Sequence, residues 1–154
     1  MSQANYQLIL VPTDGSEGAR EAARAAADLA RLSGGRLIAL HVLPPTNAIA
    51  SYLWLGPGEN PVPVDPGWLD NMSPSDDLAL RAIEAVARER GVPVDTEQVI
   101  DAQPARAIAD AAAQRGCDLV VMSSRGYGNL EPLLTDTATS EVVSECAVPV
   151  LVVH

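Results

Sequence analysis

Three short polar segments lie at the ends of apolar runs of the chain, and together they could form a ligand site. They are residues 12–15 (Pro-Thr-Asp-Gly), residues 41–42 (His-Val) and residues 123–129 (Ser-Ser-Arg-Gly-Tyr-Gly-Asn). The third segment is followed by Asp-Thr at 136–137, where a helix is predicted to begin. A glycine-bearing turn with exposed backbone N–H groups, followed by a helix N-terminus, is a common anion cradle. The two glycines of the third segment are not a complete dinucleotide fingerprint, so this signal alone is weak.

The elements that must position these segments alternate between strand and helix. Short apolar runs at 8–11, 37–43, 119–122 and 150–153 predict four strands, and a looser alternation at 92–100 predicts another. Continuous apolar runs, in which polar residues do not alternate with apolar ones, are typical of strands buried on both faces of a parallel sheet.

Four helices are predicted between the strands. The first begins at Ser16 and ends at Gly34-Gly35, with an alanine face opposite a charged face. The second has Ser73 as N-cap and Pro74 at its first position, with Asp76-Asp77 near the positive end of its dipole. The other two run from Pro104 to Gly116 and from about Thr137 to Cys146.

This alternation predicts an α/β fold with a mostly parallel, doubly wound sheet of five strands. In such sheets ligands bind beyond the carboxyl ends of the strands, near the point where the strand order reverses. The three polar segments should meet there. Residues 1–154 are predicted to form a single domain with an insertion at 44–75, which holds seven of the twelve prolines and three of the five aromatic residues. Loops of this length are usually functional or disordered, and the pattern leaves open whether this one covers a pocket or forms a small core.

The composition excludes several classes of function. The net charge is −10 and all ten basic residues are arginine, so the chain has neither a Walker lysine nor a Schiff-base lysine. The acidic balance argues against nucleic acid or an anionic membrane as a partner. The two cysteines, Cys117 and Cys146, do not form a zinc or disulfide pattern and are predicted to be small buried apolar residues. We predict no metal site, and the absence of a signal sequence or a long apolar run favours the cytoplasm.

The chain resembles the universal stress protein family in four segments at matching spacing. These are residues 9–17 (Ile-Leu-Val-Pro-Thr-Asp-Gly-Ser-Glu), 39–42 (Ala-Leu-His-Val), 118–126 (Asp-Leu-Val-Val-Met-Ser-Ser-Arg-Gly) and 148–153 (Val-Pro-Val-Leu-Val-Val). The resemblance implies a Rossmann-like three-layer α/β/α fold of the adenine nucleotide alpha hydrolase type. It also implies homodimerisation through the last strand and a role in stress adaptation. One branch of the family binds ATP through G-x-x-G, nine residues, then G-[ST].

On this chain the ATP pattern falls on Ser123-x-x-Gly126, nine residues, then Asp136-Thr137, so two of its three glycines are replaced. A carboxylate at 136 would repel a triphosphate by about 1–4 kcal/mol for charges about 4 Å apart. The family's adenosine-contacting positions are better preserved than its phosphate-contacting ones. Asp14 matches the family's ribose-contacting acid, and Val42 matches its adenine-contacting strand residue. The resemblance therefore implies an adenine nucleotide as cofactor, with AMP or adenosine favoured over ATP. The candidate nucleotide-binding residues are Pro12, Thr13, Asp14, Val42, Met122, Ser123, Arg125, Gly126, Asp136 and Thr137.

Structural interpretations of the same residues remain open. Asp136 is a favoured N-cap residue, and Asp14 could cap the first helix as readily as contact a ribose. Gly126 could supply a turn with positive φ. His41 lies in an apolar strand, where a core histidine is more common than a catalytic base. A triad of Ser16, His41 and Asp14 is conceivable, but the chain has no G-x-S-x-G nucleophile elbow.

The sequence therefore predicts a dimeric, non-catalytic stress-response protein with a nucleotide-type pocket altered at the phosphates and an unidentified protein partner. The alternatives are an ATP-binding switch with slow hydrolysis, and a hydrolase or redox enzyme on the same fold. An apolar edge strand without a protecting charge pairs readily with another chain, which supports the dimer. The candidate dimer-interface residues are Val148, Val150, Leu151, Val152 and Val153.

Overall fold

A computed structural model describes residues 6–43, 77–124 and 135–154, with the backbone alone for 135–138. The expectations for the 44–75 insertion, Ser73, Pro74, Arg125 and Gly126 lie outside these residues. The described part of the chain forms five strands and four helices. In chain order they are β1 (Leu8–Thr13), α1 (Glu17–Ser33), β2 (Arg36–Leu43), α2 (Leu78–Glu89), β3 (Val94–Ile100), α3 (Pro104–Arg115), β4 (Leu119–Ser123), α4 (Thr135–Glu145) and β5 (Val150–Val153).

The five strands form one sheet in the order β3-β2-β1-β4-β5, and every neighbouring pair is parallel. The predicted fold class is confirmed, and the sheet is entirely rather than mostly parallel. The strand order reverses beside β1, which has β2 on one side and β4 on the other. This is the topological switch point of the sheet.

Successive residues of the central strands enter two separate cores. On one face Ile9, Val11 and Ala39 pack with α1 and α2, whereas Leu10 and Ile38 pack with α3 and α4 on the other. This alternation follows from the two-residue period of a strand and gives the three-layer α/β/α arrangement. No helix in the described ranges is long and apolar enough to cross a membrane.

Helix α1 packs on the sheet through the predicted alanine face. Ser16 is its N-cap, since the Ser16 Oγ accepts a hydrogen bond from the backbone N–H of Ala19 at 3.2 Å. Gly34 ends the helix in the left-handed conformation with φ of 70°. The fully buried alanines of its inner face are Ala22, Ala23, Ala26, Ala27 and Ala30. Small side chains let the helix axis come close to the strands below it, which explains how a core with no phenylalanine is filled.

The predicted start of the second helix is wrong. Helix α2 begins at Leu78, and its N-cap is Asp77, where the sequence pattern placed the cap at Ser73 and the Asp76-Asp77 pair inside the first turn. Asp77 Oδ1 accepts hydrogen bonds from the backbone N–H groups of Ala79 and Leu80. Serine followed by proline is a common helix start, but an aspartate that also has side-chain partners elsewhere in the fold fixes the start more strongly than local preference does.

Gly35, in the turn that enters β2, lies close to the backbone of the two residues before β1. A Cβ atom added at Gly35 would lie 2.6 Å from the carbonyl oxygen of Tyr6 and 2.8 Å from that of Gln7. The adjacent Gly34 has open space around the same position. Gly35 is therefore required by packing, and Gly34 by its backbone conformation.

We expect Gly35→Ala to lower the free energy of unfolding by about 1–3 kcal/mol, because backbone atoms must move to admit the methyl group. Gly34→Asn is the matched control, since asparagine tolerates the left-handed conformation and should cost less than about 1 kcal/mol. Urea unfolding of both variants measures the difference. Equal losses at the two positions would contradict a steric role for Gly35.

Candidate functional site

The candidate site lies at the carboxyl ends of β1 and β4, where these neighbouring strands stop pairing. β1 pairs with β2 through all six residues from Leu8 to Thr13, but its registered pairs with β4 are Ile9 with Leu119 and Leu10 with Val120. Beyond those pairs the carboxyl ends of β1 and β4 are not joined by ladder hydrogen bonds. A crevice at the switch point of a parallel sheet is the usual ligand position in this type of fold.

The turn after β1 orients the first group of candidate residues. Pro12 and Thr13 are buried, and Thr13 Oγ1 accepts a hydrogen bond from the Gly15 N–H at 3.1 Å. Asp14 Oδ1 accepts one from the Ser16 N–H at 2.9 Å, which leads the chain into α1. Gly15 has φ of 84°, a conformation that suits glycine in a turn this tight.

The second carboxylate oxygen of Asp14 is the unusual atom of this turn. Asp14 Oδ2 is buried and has no hydrogen-bond partner among the described residues. A buried carboxylate oxygen without a partner is costly, so such an atom is a candidate acceptor for a ligand's hydroxyl or amine. The sequence left open whether Asp14 caps α1 or binds a ligand. The N-cap of α1 is Ser16 rather than Asp14, and Asp14 Oδ1 supports the turn before the helix.

The remaining candidate residues lie on neighbouring strand ends or at the start of α4. Val42 and Met122 are buried in the core beneath α3 and α4. The Ser123 carbonyl accepts a hydrogen bond from Thr139 Oγ1 at 3.3 Å, which holds the first turns of α4 near the end of β4. Asp136 and Thr137 lie in the first turn of α4, so its N-terminus is brought to the same edge as the turn after β1.

Sequence reasoning missed a buried polar cluster beside this site. His41 Nδ1 lies 2.6 Å from Asp77 Oδ2, and Gln98 Nε2 donates to the same oxygen at 2.8 Å. Asp77 is 2% exposed. The sequence favoured a core histidine at position 41 without identifying its partner, and the predicted dipole role of Asp77 is incomplete. The signal in the sequence was a polar residue near the end of each of two strands, His41 and Gln98, but nothing local links them to position 77.

The electrostatics of this cluster favour an ionised Asp77. Burial raises the pKa of the Asp77 carboxyl, but hydrogen bonds from Gln98 and His41 lower it more, and the net pKa lies below its ordinary value. The His41 partner is Asp77, so the triad of Ser16, His41 and Asp14 considered from the sequence does not describe the observed pairing.

Cys117 is buried, as the sequence predicted, whereas Cys146 is only half-buried. Burial raises the pKa of Cys117 to about 11, and burial also raises the pKa of Cys146. Both thiols are therefore protonated at neutral pH and are poor nucleophiles. In the ranges that the structure describes, no group of three His, Cys, Asp or Glu side chains is placed to hold a metal ion.

A parallel five-stranded sheet with helices on both faces defines a Rossmann-like α/β domain. In this chain the hydrogen-bond acceptor Asp14 Oδ2 lies at the switch point of the sheet. The chain belongs to the universal stress protein family, whose family model matches residues 5–154. A universal stress protein encoded in the QAH/OAS sulfhydrylase 3′ region of Thermus aquaticus is 30% identical, over 97% of this chain and 99% of that relative. The resemblance drawn from the four sequence segments is confirmed.

Solved structures show the same fold. A universal stress protein in complex with cAMP superimposes with a TM-score of 0.67 at 23% identity, covering 98% of both chains. The universal stress protein from Archaeoglobus fulgidus in complex with dAMP gives a TM-score of 0.65 at 20% identity, covering 97% of this chain and 99% of that one.

The lowered pKa of Asp77 predicts a loss of stability in acid. A carboxyl group whose folded-state pKa is depressed stabilises the fold above its unfolded-state pKa of about 3.9, and this contribution disappears as the pH falls through the lower folded-state value. We expect the native chain to lose free energy of unfolding relative to Asp77→Asn as the pH falls below about 4. Urea unfolding at a series of pH values from 5 downward measures this. A difference between the two proteins that stays constant over that range would contradict the assignment.

Proposed function

We propose that this chain is a dimeric, non-catalytic stress-response protein that binds an adenine nucleoside or monophosphate at the β1–β4 crevice. The observation that carries the proposal is Asp14 Oδ2, a buried acceptor without a described partner at the switch point of the sheet. A ribose hydroxyl is the kind of donor that would satisfy it. The ligands of the two solved relatives, cAMP and dAMP, are both adenine nucleotides with a single phosphate, which supports a ligand of this class.

The phosphate end of the proposed site is the part least suited to ATP. Residue 136 lies in the first turn of α4, where orphan backbone N–H groups attract an anion. Where the ATP-binding branch has glycine, this chain carries the carboxylate of Asp136. We propose that this carboxylate takes the place of a phosphate at the helix N-terminus. Both anions would use the same N–H groups, so they would compete.

We expect affinity to rise as the number of phosphates falls, with adenosine or AMP binding more tightly than ATP. Asp136→Gly should strengthen ATP binding by removing the charge repulsion, and Ser123→Gly should add to the gain if both positions flank one phosphate. Calorimetric titration of each protein with adenosine, AMP and Mg-ATP measures the order. ATP binding to the native chain about tenfold more tightly than AMP would contradict the proposal and favour an ATP-binding switch.

Asp14→Asn tests the acceptor itself within the same titrations. The asparagine oxygen keeps the bond to the Ser16 N–H, while its amide presents a donor where Asp14 Oδ2 was an acceptor. The matched control is Asp101→Asn, because Asp101 Oδ1 makes the same local bond to the Gln103 N–H after β3. Only the change at Asp14 should weaken adenosine binding.

The two edges of the sheet differ in how they resist pairing with another chain. On β3, Asp95 pairs with Arg36 and Glu97 pairs with Arg115 at 3.6 Å. Charged side chains on an edge strand discourage strand addition. β5 consists of Val-Leu-Val-Val, and its Leu151 side chain is 40% exposed.

Part of the predicted interface also packs against the chain's own core. Val148 and Val150 contact the core beneath α3 and α4, and Val153 contacts the core beneath α1 and α2. Leu151 is therefore the residue of β5 with most side chain to offer a partner. We propose that β5 pairs two copies of the chain, with Leu151 at the centre of the contact.

We expect Leu151→Lys to convert a dimer to a monomer, since a charge in the middle of β5 would be buried on pairing. Leu32→Lys is the matched control, because Leu32 is an exposed leucine of α1 that does not belong to the edge strand, and its substitution should leave the dimer intact. Sedimentation velocity of the three proteins at equal concentration gives the result. A Leu151→Lys protein that sediments as a dimer would remove β5 from the interface.

A further inference from the structure

Asp77 has four hydrogen bonds and is saturated as an acceptor. Its Oδ1 accepts from the backbone N–H groups of Ala79 at 2.9 Å and Leu80 at 3.3 Å. Its Oδ2 accepts from Gln98 Nε2 at 2.8 Å and lies 2.6 Å from His41 Nδ1. This one carboxylate therefore joins α2, β3 and β2 at the carboxyl edge of the sheet.

The ionised state of Asp77 fixes which ring nitrogen of His41 holds the proton. A carboxylate can only accept hydrogen bonds, so the Nδ1 atom that faces it must be the donor. In a neutral imidazole the other nitrogen, Nε2, then has a free lone pair and acts as an acceptor. Asp77 therefore determines the chemical character of the far side of the ring.

His41 lies next to the proposed nucleotide site. Its Cα is in register with that of Thr13, the residue before Asp14, and Val42 follows it in the chain. The start of α2 is close as well, since a Cβ atom added at Gly15 would lie 3.5 Å from the Cβ of Ala79. The His41 side chain is 17% exposed, and within the described ranges its one hydrogen bond is at Nδ1.

We propose that His41 is a specificity-determining residue whose Nε2 accepts a hydrogen bond from an N–H or O–H group of the bound nucleoside. This inference rests on the proposed function and adds a second acceptor to Asp14 Oδ2. The two atoms are held at the ends of adjacent strands β1 and β2, and both select for ligand donors. A ligand that presents an acceptor to His41 would be discriminated against.

Asp77→Asn inverts this preference with little change in shape. Asparagine is a good N-cap, so its oxygen can keep the bonds to α2. Its amide would face His41 Nδ1 as a donor, and the ring would move its proton to Nε2. Gln98 can turn its own amide over and accept from the asparagine. The cluster stays hydrogen-bonded while His41 Nε2 changes from acceptor to donor.

The experiment compares the native chain, Asp77→Asn and the control Gln98→Met, which removes one bond to Asp77 without inverting the ring. Calorimetry with adenosine, inosine and 2′- and 3′-deoxyadenosine gives the affinities, and the ¹⁵N shifts of the His41 ring report its tautomer directly. We expect Asp77→Asn to weaken adenosine binding about tenfold or more, and Gln98→Met to change it by less than about threefold.

The ligand series identifies the donor. If it is the 6-amine, inosine, which carries an oxygen there, should bind weakly to the native chain and gain affinity in Asp77→Asn. If it is a ribose hydroxyl, adenosine and inosine should weaken together, and the deoxynucleoside that lacks that hydroxyl should show no effect of the substitution.

The proposal is overturned if Asp77→Asn shows the inverted tautomer and still binds adenosine as the native chain does, and in that case the proposed function stands. If the native chain binds none of the nucleosides, the proposed function fails and this inference fails with it. Should Asp77→Asn not fold, His41→Phe replaces it, since phenylalanine keeps a ring and lacks the acceptor. Native-strength adenosine binding by His41→Phe would equally overturn the proposal.

Discussion

Burial of the central strands on both faces is the constraint on which the rest of this structure depends. β1, β2 and β4 send alternate side chains into two cores, so nearly every position along them must be apolar. Polar chemistry is therefore displaced to the strand ends. Thr13 and Ser123 are the last residues of β1 and β4, and His41 is the third residue from the end of β2, so all three lie near the carboxyl edge. The location of the candidate site follows from the packing requirement before any ligand is considered.

The two carboxylates at this edge illustrate how surroundings assign different roles to the same group. Asp77 has a partner for every strong acceptor position, so its charge is used inside the protein to join a helix to two strands. Asp14 has one oxygen engaged by the turn and one buried oxygen for which the described residues supply no donor. The first arrangement is typical of a structural carboxylate, and the second is the observation on which the proposed nucleoside site depends.

The fold could be predicted from the sequence because each element has a local signature. The apolar runs of the strands, the alanine face of α1 and the glycine after α3 are all legible within a few residues. The start of α2 and the partner of His41 could not be predicted in this way. They depend on the contacts of Asp77 with His41, 36 positions away, and with Gln98, 21 positions away. The periodicity of a sequence does not encode contacts over such separations. For the site, the sequence indicated the turn and the strand ends, but not that one oxygen of Asp14 would be bonded within the turn and the other left without a described partner.

The contrast between the two sheet edges also limits how large an assembly can grow. Under the proposed pairing, β5 of one copy meets β5 of another, and the contact is self-complementary about a two-fold axis. In such a pair both β5 strands would be hydrogen-bonded to each other. The two outer strands of the combined sheet would then be the β3 strands, which carry the ion pairs Arg36–Asp95 and Arg115–Glu97. A third copy of the chain would have no unprotected edge strand to pair with. Under this proposal the charged residues of β3 would prevent further strand addition, and the combined sheet would end at ten strands rather than extend into a fibre.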